Sequence, residues 1–441
     1  MPPSLQTLNW LFRPIEFMDA CRRRHGDAFS VKFVGFQTPM VMVSDPEAIA
    51  ALYRARDNEM PPGRTATLEP VMGARSVLLL EGAEHLARRK LMLPPFHGER
   101  MRAFGPLVEE IIEAEIDSWA LNRAFAIHPR MQAVTLEVIL RAVFGVSDPT
   151  RLARLRRLLS DLLRSSSSPM VQLRVLVARR LGQPGPLERL EGLNADVNEV
   201  LKAEIGERRA DPELDQRTDI LSQLVAARFE DGGSMDDGEL RDQLITLLLA
   251  GHETTATALA WTFDLLLRNP SALARLSEEI DGDGDEYLRA VITESLRLRP
   301  VIPLAGRRLG SELRVDGLTL PAGTDVTPAI WLTHTRPELY PDPLEFRPER
   351  FLDDGPETYG WIPFGGGVRR CLGAAFAEFE MRVVLREVIG RCDLRIARSA
   401  PERIARRNIT FSPRRGTPVI VDRRSPSRRR SASTETTAAH S

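Results

Sequence analysis

One cysteine, Cys371, lies in the segment Phe364-Gly-Gly-Gly-Val-Arg-Arg-Cys-Leu-Gly373, beside Arg369 and Arg370 and at the mouth of a helical pattern that begins at Ala374. Backbone N–H groups and the positive end of a helix dipole favour thiolate over thiol. The placement therefore predicts an anionic sulfur, the form in which cysteine ligates a metal. Gly365, Gly366 and Gly367 permit positive φ and a close approach of the backbone to a flat bound group, and Gly373 leaves room for amide donors near the sulfur. Phe364 is placed to pack beside the ligand and exclude water. An isolated cysteine in a glycine loop is more often a small core hydrophobe. The full ten-residue pattern is what points to ligation.

Three further sets of residues accompany it. Ala250-Gly-His-Glu-Thr-Thr255 sits in the middle of a helical pattern from about Asp236 to Arg268. Leu244, Ile245, Leu247, Leu248, Leu249, Ala256, Ala258, Leu259 and Ala260 make that helix apolar nearly all round, the mark of an element through the protein centre. It would span roughly 50 Å. Ala250 and Gly251 are small enough for a ligand to lie against the helix, and Thr254 can bond back to a carbonyl one turn earlier or release it. Glu294-Ser-Leu-Arg297 falls on a helical stretch from about Asp285 to Leu298, with the carboxylate and guanidinium on one face. His85 and Arg89 share a helix face at i,i+4 spacing. Taken singly, a Glu-x-x-Arg pair is common on solvated helices, and a lone helical threonine often satisfies only itself.

In this order the motifs resemble those of the cytochromes P450. Phe364, Gly367, Arg369, Cys371 and Gly373 fill every position of that family's Phe-x-x-Gly-x-Arg-x-Cys-x-Gly loop. The resemblance implies a mainly α fold with a smaller β-rich subdomain near the N-terminus, and haem b between the long central helix and the loop, with Cys371 as axial thiolate. It implies that His85, Arg89, Arg307 and Arg369 meet the haem propionates, Arg307 in preference to its neighbour Arg308. Buried negative charges of that kind must be paired. It implies that Ala250, Gly251, Glu253 and Thr254 form the oxygen-activation segment, Glu253 and Thr254 relaying protons. Glu294, Arg297 and Arg350 would form a buried network that fixes the cysteine loop. The implied reaction is monooxygenation: one atom of O2 enters an organic substrate and the other becomes water. By family position, Leu78, Leu79, Leu247, Leu248, Val301, Ile302, Leu304, Ile409 and Phe411 line the pocket. A set so aliphatic suits terpenoid, fatty acyl or macrocyclic substrates. With no flavin or iron–sulfur segment in the chain, NAD(P)H electrons are expected through a separate ferredoxin or flavodoxin and its reductase, docking where Arg88, Lys90 and Arg370 give a positive face. The alternatives are a peroxide-using or rearranging enzyme of the same type and a non-catalytic haem sensor.

Composition sets outer bounds. Formal net charge is −1, which gives no reason to expect a nucleic-acid partner, and lysine occurs only at positions 32, 90 and 202. Three cysteines are too few and scattered for a disulfide framework, so a reducing cytoplasm is expected. The first residues show neither an apolar span nor a signal pattern, so a monomer without membrane anchor is expected. Ala28–Val34 and Met40–Ser44 read as a β-hairpin, Asp45–Arg54 as a helix, and Leu313–Val315 and Val326–Trp331 as strands. Residues 61–80 read as a pocket cover. The helical region from Glu99 to Leu298 is expected to break at Arg164–Pro169 and Gly182–Pro186, two joints flanking a lid. Residues 1–422 form the catalytic domain in this reading, followed by a disordered Arg/Ser-rich tail, 423–441.

Overall fold

Helix boundaries follow local chemistry. Prolines stand in the first turn of several helices, where no N–H bond is lost. Asp236 caps the longest helix by accepting from the Glu239 amide at 2.9 Å. The computed structural model of the chain describes residues 1–36, 38–54, 69–146, 148–167, 185–315, 317–353, 355–407 and 409–426. In chain order the elements are α1 (Pro3–Phe12), α2 (Pro14–His25), β1 (Ala28–Val31), β2 (Met40–Val43), α3 (Pro46–Arg54), α4 (Glu69–Met72), α5 (Gly82–Met92), α6 (Gly98–Arg102), α7 (Gly105–Asp117), β3 (Phe125–Ala126), α8 (Ile127–Ala142), α9 (Pro149–Ser167), α10 (Gly185–Arg209), α11 (Ile220–Ala226), α12 (Asp237–Arg268), α13 (Pro270–Asp281), α14 (Glu286–Leu298), β4 (Arg307–Arg308), β5 (Leu313–Val315), β6 (Leu318–Leu320), β7 (Asp325–Pro328), α15 (Ile330–His334), α16 (Ala374–Arg391), β8 (Cys392–Ile396), β9 (Ile404–Arg407), β10 (Thr410–Pro413) and β11 (Pro418–Arg424).

The helices bury one large apolar core around α12, which packs most extensively on α8. At 32 residues α12 is about 48 Å long, so it crosses the protein. The smaller β-rich part is a four-stranded sheet in the order β1-β2-β7-β4, with β1 antiparallel to β2 from Ala28 opposite Val43 to Val31 opposite Met40, and β2 parallel to β7. Its two faces carry separate apolar clusters. One is closed by α3, and the other by α1 and α2, with Trp10 stacked near Phe33 and Phe411. A three-stranded sheet, β3-β11-β8, and the hairpins β5-β6 and β9-β10 complete it.

Several expectations need correction. The strand expected over Val326–Trp331 stops at Pro328, and Trp331 lies in α15; the Ala329 amide still donates to the Val43 carbonyl at 2.8 Å, but the Ile330 amide turns away to the Pro303 carbonyl at 3.0 Å as the helix begins. Residues 164–167, expected as a break, continue α9, and α10 starts at Gly185. The rest of both expected joints lies outside the described residues, as do 61–68 of the expected pocket cover. β11 runs through Arg424, two residues past the boundary expected at 422; residues 427–441 of the expected tail lie outside the described residues. Among the described residues no helix is long and apolar enough to cross a membrane.

What locks the cysteine loop to this frame is a buried ion pair. Glu294 and Arg297 of α14 are both fully buried, with Arg297 Nε and Nη2 donating to the two carboxylate oxygens at 2.6 and 2.7 Å. The remaining guanidinium hydrogens reach the carbonyls of His334, Pro343 and Glu345. Arg350 Nε and the Arg347 amide complete the carboxylate at 3.2 and 2.9 Å. His334 then carries the link onward. Its Nε2 accepts from the Ile362 amide at 2.8 Å, so Nδ1 bears the hydrogen and donates to the Arg297 carbonyl at 3.0 Å. Burial holds its pKa down at about 3, so the ring stays neutral. Removing one partner of such a pair strands a buried charge, at a cost of about 3–5 kcal/mol. Arg297→Ala is therefore expected to lower the urea unfolding midpoint by that equivalent, with loss of the folded protein altogether as the extreme outcome. A variant as stable as the parent would remove the pair from this role.

Candidate functional site

Cys371 follows a single 3-10 turn, Gly367–Arg369, and precedes α16. Its amide donates to the Phe364 carbonyl at 2.8 Å, which closes the loop. The sulfur accepts from the Gly373 amide, and the charges of Arg370 and Arg89 act on it. Those three influences favour the thiolate, as the sequence suggested. Burial outweighs them, and the thiol pKa stands above its ordinary value. A helix mouth offers partial charges, whereas desolvation acts on the whole charge, so burial opposes the thiolate that the loop's donors favour. A metal ion at the sulfur would displace the proton outright. Cys371 is open to solvent at its surface yet crowded enough for burial to dominate, as for a sulfur on the floor of a recess.

The glycines serve a further purpose that was not expected. Gly365 and Gly367 do take positive φ, 67° and 64°. A Cβ on Gly366 would come within 2.3 Å of the Tyr53 ring, and one on Gly367 within 2.4 Å of the Tyr53 carbonyl oxygen. The close approach is to the end of α3. Tyr53, a buried residue that sequence reasoning missed, has its phenol pKa pushed up to about 12 by burial, with the Arg307 charge opposing.

Around the loop, the expected cationic residues converge. Arg369 Nη2 donates to the Leu80 carbonyl at 2.8 Å, tying the loop to the segment that leads into α5. On α5, His85 is buried, and Arg89 lies close enough to act on the sulfur. Arg307 faces Tyr53, whereas Arg308, on the other face of β4, is exposed and bonded to Asp325 at 3.1 Å. The alternation along β4 thus separates the two arginines. A sulfur donor backed by an amide, with Arg89, Arg307 and Arg369 brought in by three elements, fits a haem and its two propionates. Arg88 does not point outward as expected: it pairs with the buried Glu239 at 2.6 Å and stacks on Phe229. Lys90 does point outward, paired there with the exposed Glu230. Arg370 remains exposed beside the cysteine.

On α12, Thr254 Oγ1 donates to the Ala250 carbonyl at 2.5 Å, the one-turn back-bond anticipated from sequence. Ala250 is exposed, but Gly251 is not a ligand seat: its Cβ would meet Ile139 Cδ1 of α8 at 3.0 Å, so its smallness serves helix packing. Glu253 turns toward α8, where Gln132 donates to Oε2 and Thr257 Oγ1 to Oε1 at 3.4 Å. Burial raises its pKa. Of the expected pocket residues, Leu248, Val301 and Phe411 are buried in the core, Phe411 held by the Trp261 indole at its carbonyl. Leu78, Leu79, Leu247, Ile302, Leu304 and Ile409 keep accessible surface.

The comparisons agree with this geometry. The family model for cytochrome P450 matches residues 5–418. The Mycobacterium tuberculosis protein designated cytochrome P450 135B1 is 44% identical over 95% of this chain and 89% of its own length. Another from that organism, designated cytochrome P450 137, is 40% identical over 90% and 83%. Among solved structures, the fold matches a cyanobacterial CYP120A1 with retinoic acid bound, with a TM-score of 0.82 at 24% identity over 94% of this chain and 96% of that one. The haem domain of cytochrome P450DA matches at 0.80 and 21%, covering 95% of each chain. The chain belongs to the cytochrome P450 family of haem-dependent monooxygenases, oxidoreductases that consume molecular oxygen.

Proposed function

We propose that Cys371 is the axial thiolate of haem b and that the enzyme hydroxylates an apolar small molecule: substrate, O2, two electrons and two protons yield hydroxylated product and water. The observation that carries this reading is the sulfur itself. It is backed by the Gly373 amide, lies under the charges of Arg89 and Arg370, and sits on a loop anchored through His334 to a buried ion pair. His85, Arg89, Arg307 and Arg369 are assigned to the propionates; Phe364, Gly367 and Gly373 shape the loop. The haem, when bound, supplies the oxygen chemistry, which a thiolate ligand favours over simple oxygen carriage.

The protein's own part is to hold substrate, exclude water and deliver protons. Thr254 has a hydroxyl whose bond to Ala250 can be exchanged for another acceptor, and Glu253, one residue away, is a carboxyl held partly buried with a raised pKa. A carboxyl beside a hydroxyl that can exchange hydrogen-bond partners suits proton transfer. This pairing favours an oxygen-using enzyme over a peroxide-using or rearranging one, or a sensor. The accessible pocket candidates, Leu78, Leu79, Leu247, Ile302, Leu304 and Ile409, are all aliphatic, which suits terpenoid, fatty acyl or macrocyclic substrates. Electrons are assigned to NAD(P)H through a ferredoxin or flavodoxin and its reductase, with Arg370 in the docking face.

Two variants test the assignment. Cys371→Ala is expected to abolish the red-shifted Soret band of the reduced carbon monoxide complex for which the family is named; a variant that kept the band would end the ligand assignment. Thr254→Ala is expected to keep haem content and that band. Coupled turnover should fall by about one to two orders of magnitude, with hydrogen peroxide replacing product. Parental coupling would make Thr254 an ordinary helical threonine.

A further inference from the structure

We infer that Gln132 of α8 is the positioning residue for the Glu253 carboxyl, seconded by His128 acting through Thr257. Together they determine how that carboxyl stands ready beside Thr254. The inference rests on the reading of Glu253 as a proton carrier.

The geometry comes from both helices. Gln132 Nε2 donates to Glu253 Oε2. On the other oxygen, Thr257 Oγ1 lies one turn further along α12 at 3.4 Å, and His128 Nε2 lies 3.1 Å from the same hydroxyl. His128 is fully buried, and burial with the nearby charge of Arg407 and the neighbouring His252 holds its pKa near 3, so it is neutral at working pH. A neutral ring has one N–H. With that hydrogen on Nε2, His128 donates to Thr257, and Thr257 donates to Glu253, so both carboxylate oxygens are held. Thr254, by contrast, stays bonded within its own helix. The charged and titratable groups around Glu253 are Arg407 from β9, His128 from α8 and His252 on α12. Burial pushes Glu253 up, while Gln132, Arg407 and Thr257 pull it down. Gln132 and Thr257 are the neutral donors in that set, and Gln132 is the one supplied by the neighbouring helix.

The test reads the carboxyl directly. Its C=O stretch in infrared pH titrations of the haem-loaded enzyme is isolated by subtracting Glu253→Gln. Gln132→Leu removes a donor to the charged form, so the midpoint should rise by about one pH unit. Gln132→Lys keeps a donor and adds a positive charge, so it should fall by a comparable amount. Opposite displacements are what a merely structural role would not produce. Unchanged midpoints, or both moving the same way, would overturn the inference; should the leucine variant not fold, the lysine variant alone decides by moving down or not. Peroxide release in Gln132→Leu should rise alongside the shift. Failure of the underlying reading shows elsewhere, as Glu253→Gln coupling reductant to product like the parent.

Discussion

The fully buried pair of Glu294 and Arg297 is the constraint on which the cysteine loop depends. Two charges taken out of water are tolerated only if their hydrogen-bonding capacity is used. Here five donor bonds leave the guanidinium, two to Glu294 and three to backbone carbonyls. The carboxylate accepts from Arg297, the Arg347 amide and Arg350. The backbone partners of Arg297 are spread from residue 334 to 345, so one side chain gathers a stretch that has little regular secondary structure. A lysine has neither the fork nor the donor count to do this. His334 turns the clamp into a positioning device, because it joins the Arg297 carbonyl to Ile362, nine residues before the sulfur.

The thiol at the end of that chain illustrates competing electrostatic effects. An amide donor, two arginine charges and a helix mouth all favour the anion, yet burial wins. Under the proposed ligation, an iron ion would bring more charge than any of these groups and could take the proton's place.

Much of this was legible in the chain, and the limits are physical. The central helix was expected from Asp236 and begins at Asp237, because an aspartate cap and an unbroken apolar pattern are local signals. The Glu294–Arg297 spacing and the Thr254 back-bond are likewise properties of one helix. What could not be read was which neighbour each residue meets. Gly251 looked like room for a ligand and is room for Ile139; Gly366 and Gly367 looked shaped for a cofactor and are also shaped by Tyr53. Arg88 looked outward because nothing in the local sequence placed Glu239 opposite it. Phe411 and Leu248 looked like pocket and are core, since an aliphatic or aromatic side chain reads the same in either place. His334, His128 and Gln132 carried no signal at all, being single polar residues whose partners lie on other elements.

These corrections fit one arrangement of the central helix. Gly251 lets α8 approach α12 closely, and that closeness is what brings Gln132 and His128 within reach of Glu253 and Thr257. The same segment presents Ala250 and Thr254 on other positions around the turn, with Thr254 retaining only its intrahelical bond. A carboxyl restrained by a neighbouring helix next to a hydroxyl restrained only by its own helix divides the work between them. The hydroxyl can exchange partners by a side-chain rotation, which is fast and needs no change in packing, whereas the carboxyl must break hydrogen bonds across a helix interface to move. Under the proposed roles of Glu253 and Thr254, packing between α8 and α12 is part of the proton handling, although Ile139 and Gly251 carry no proton themselves.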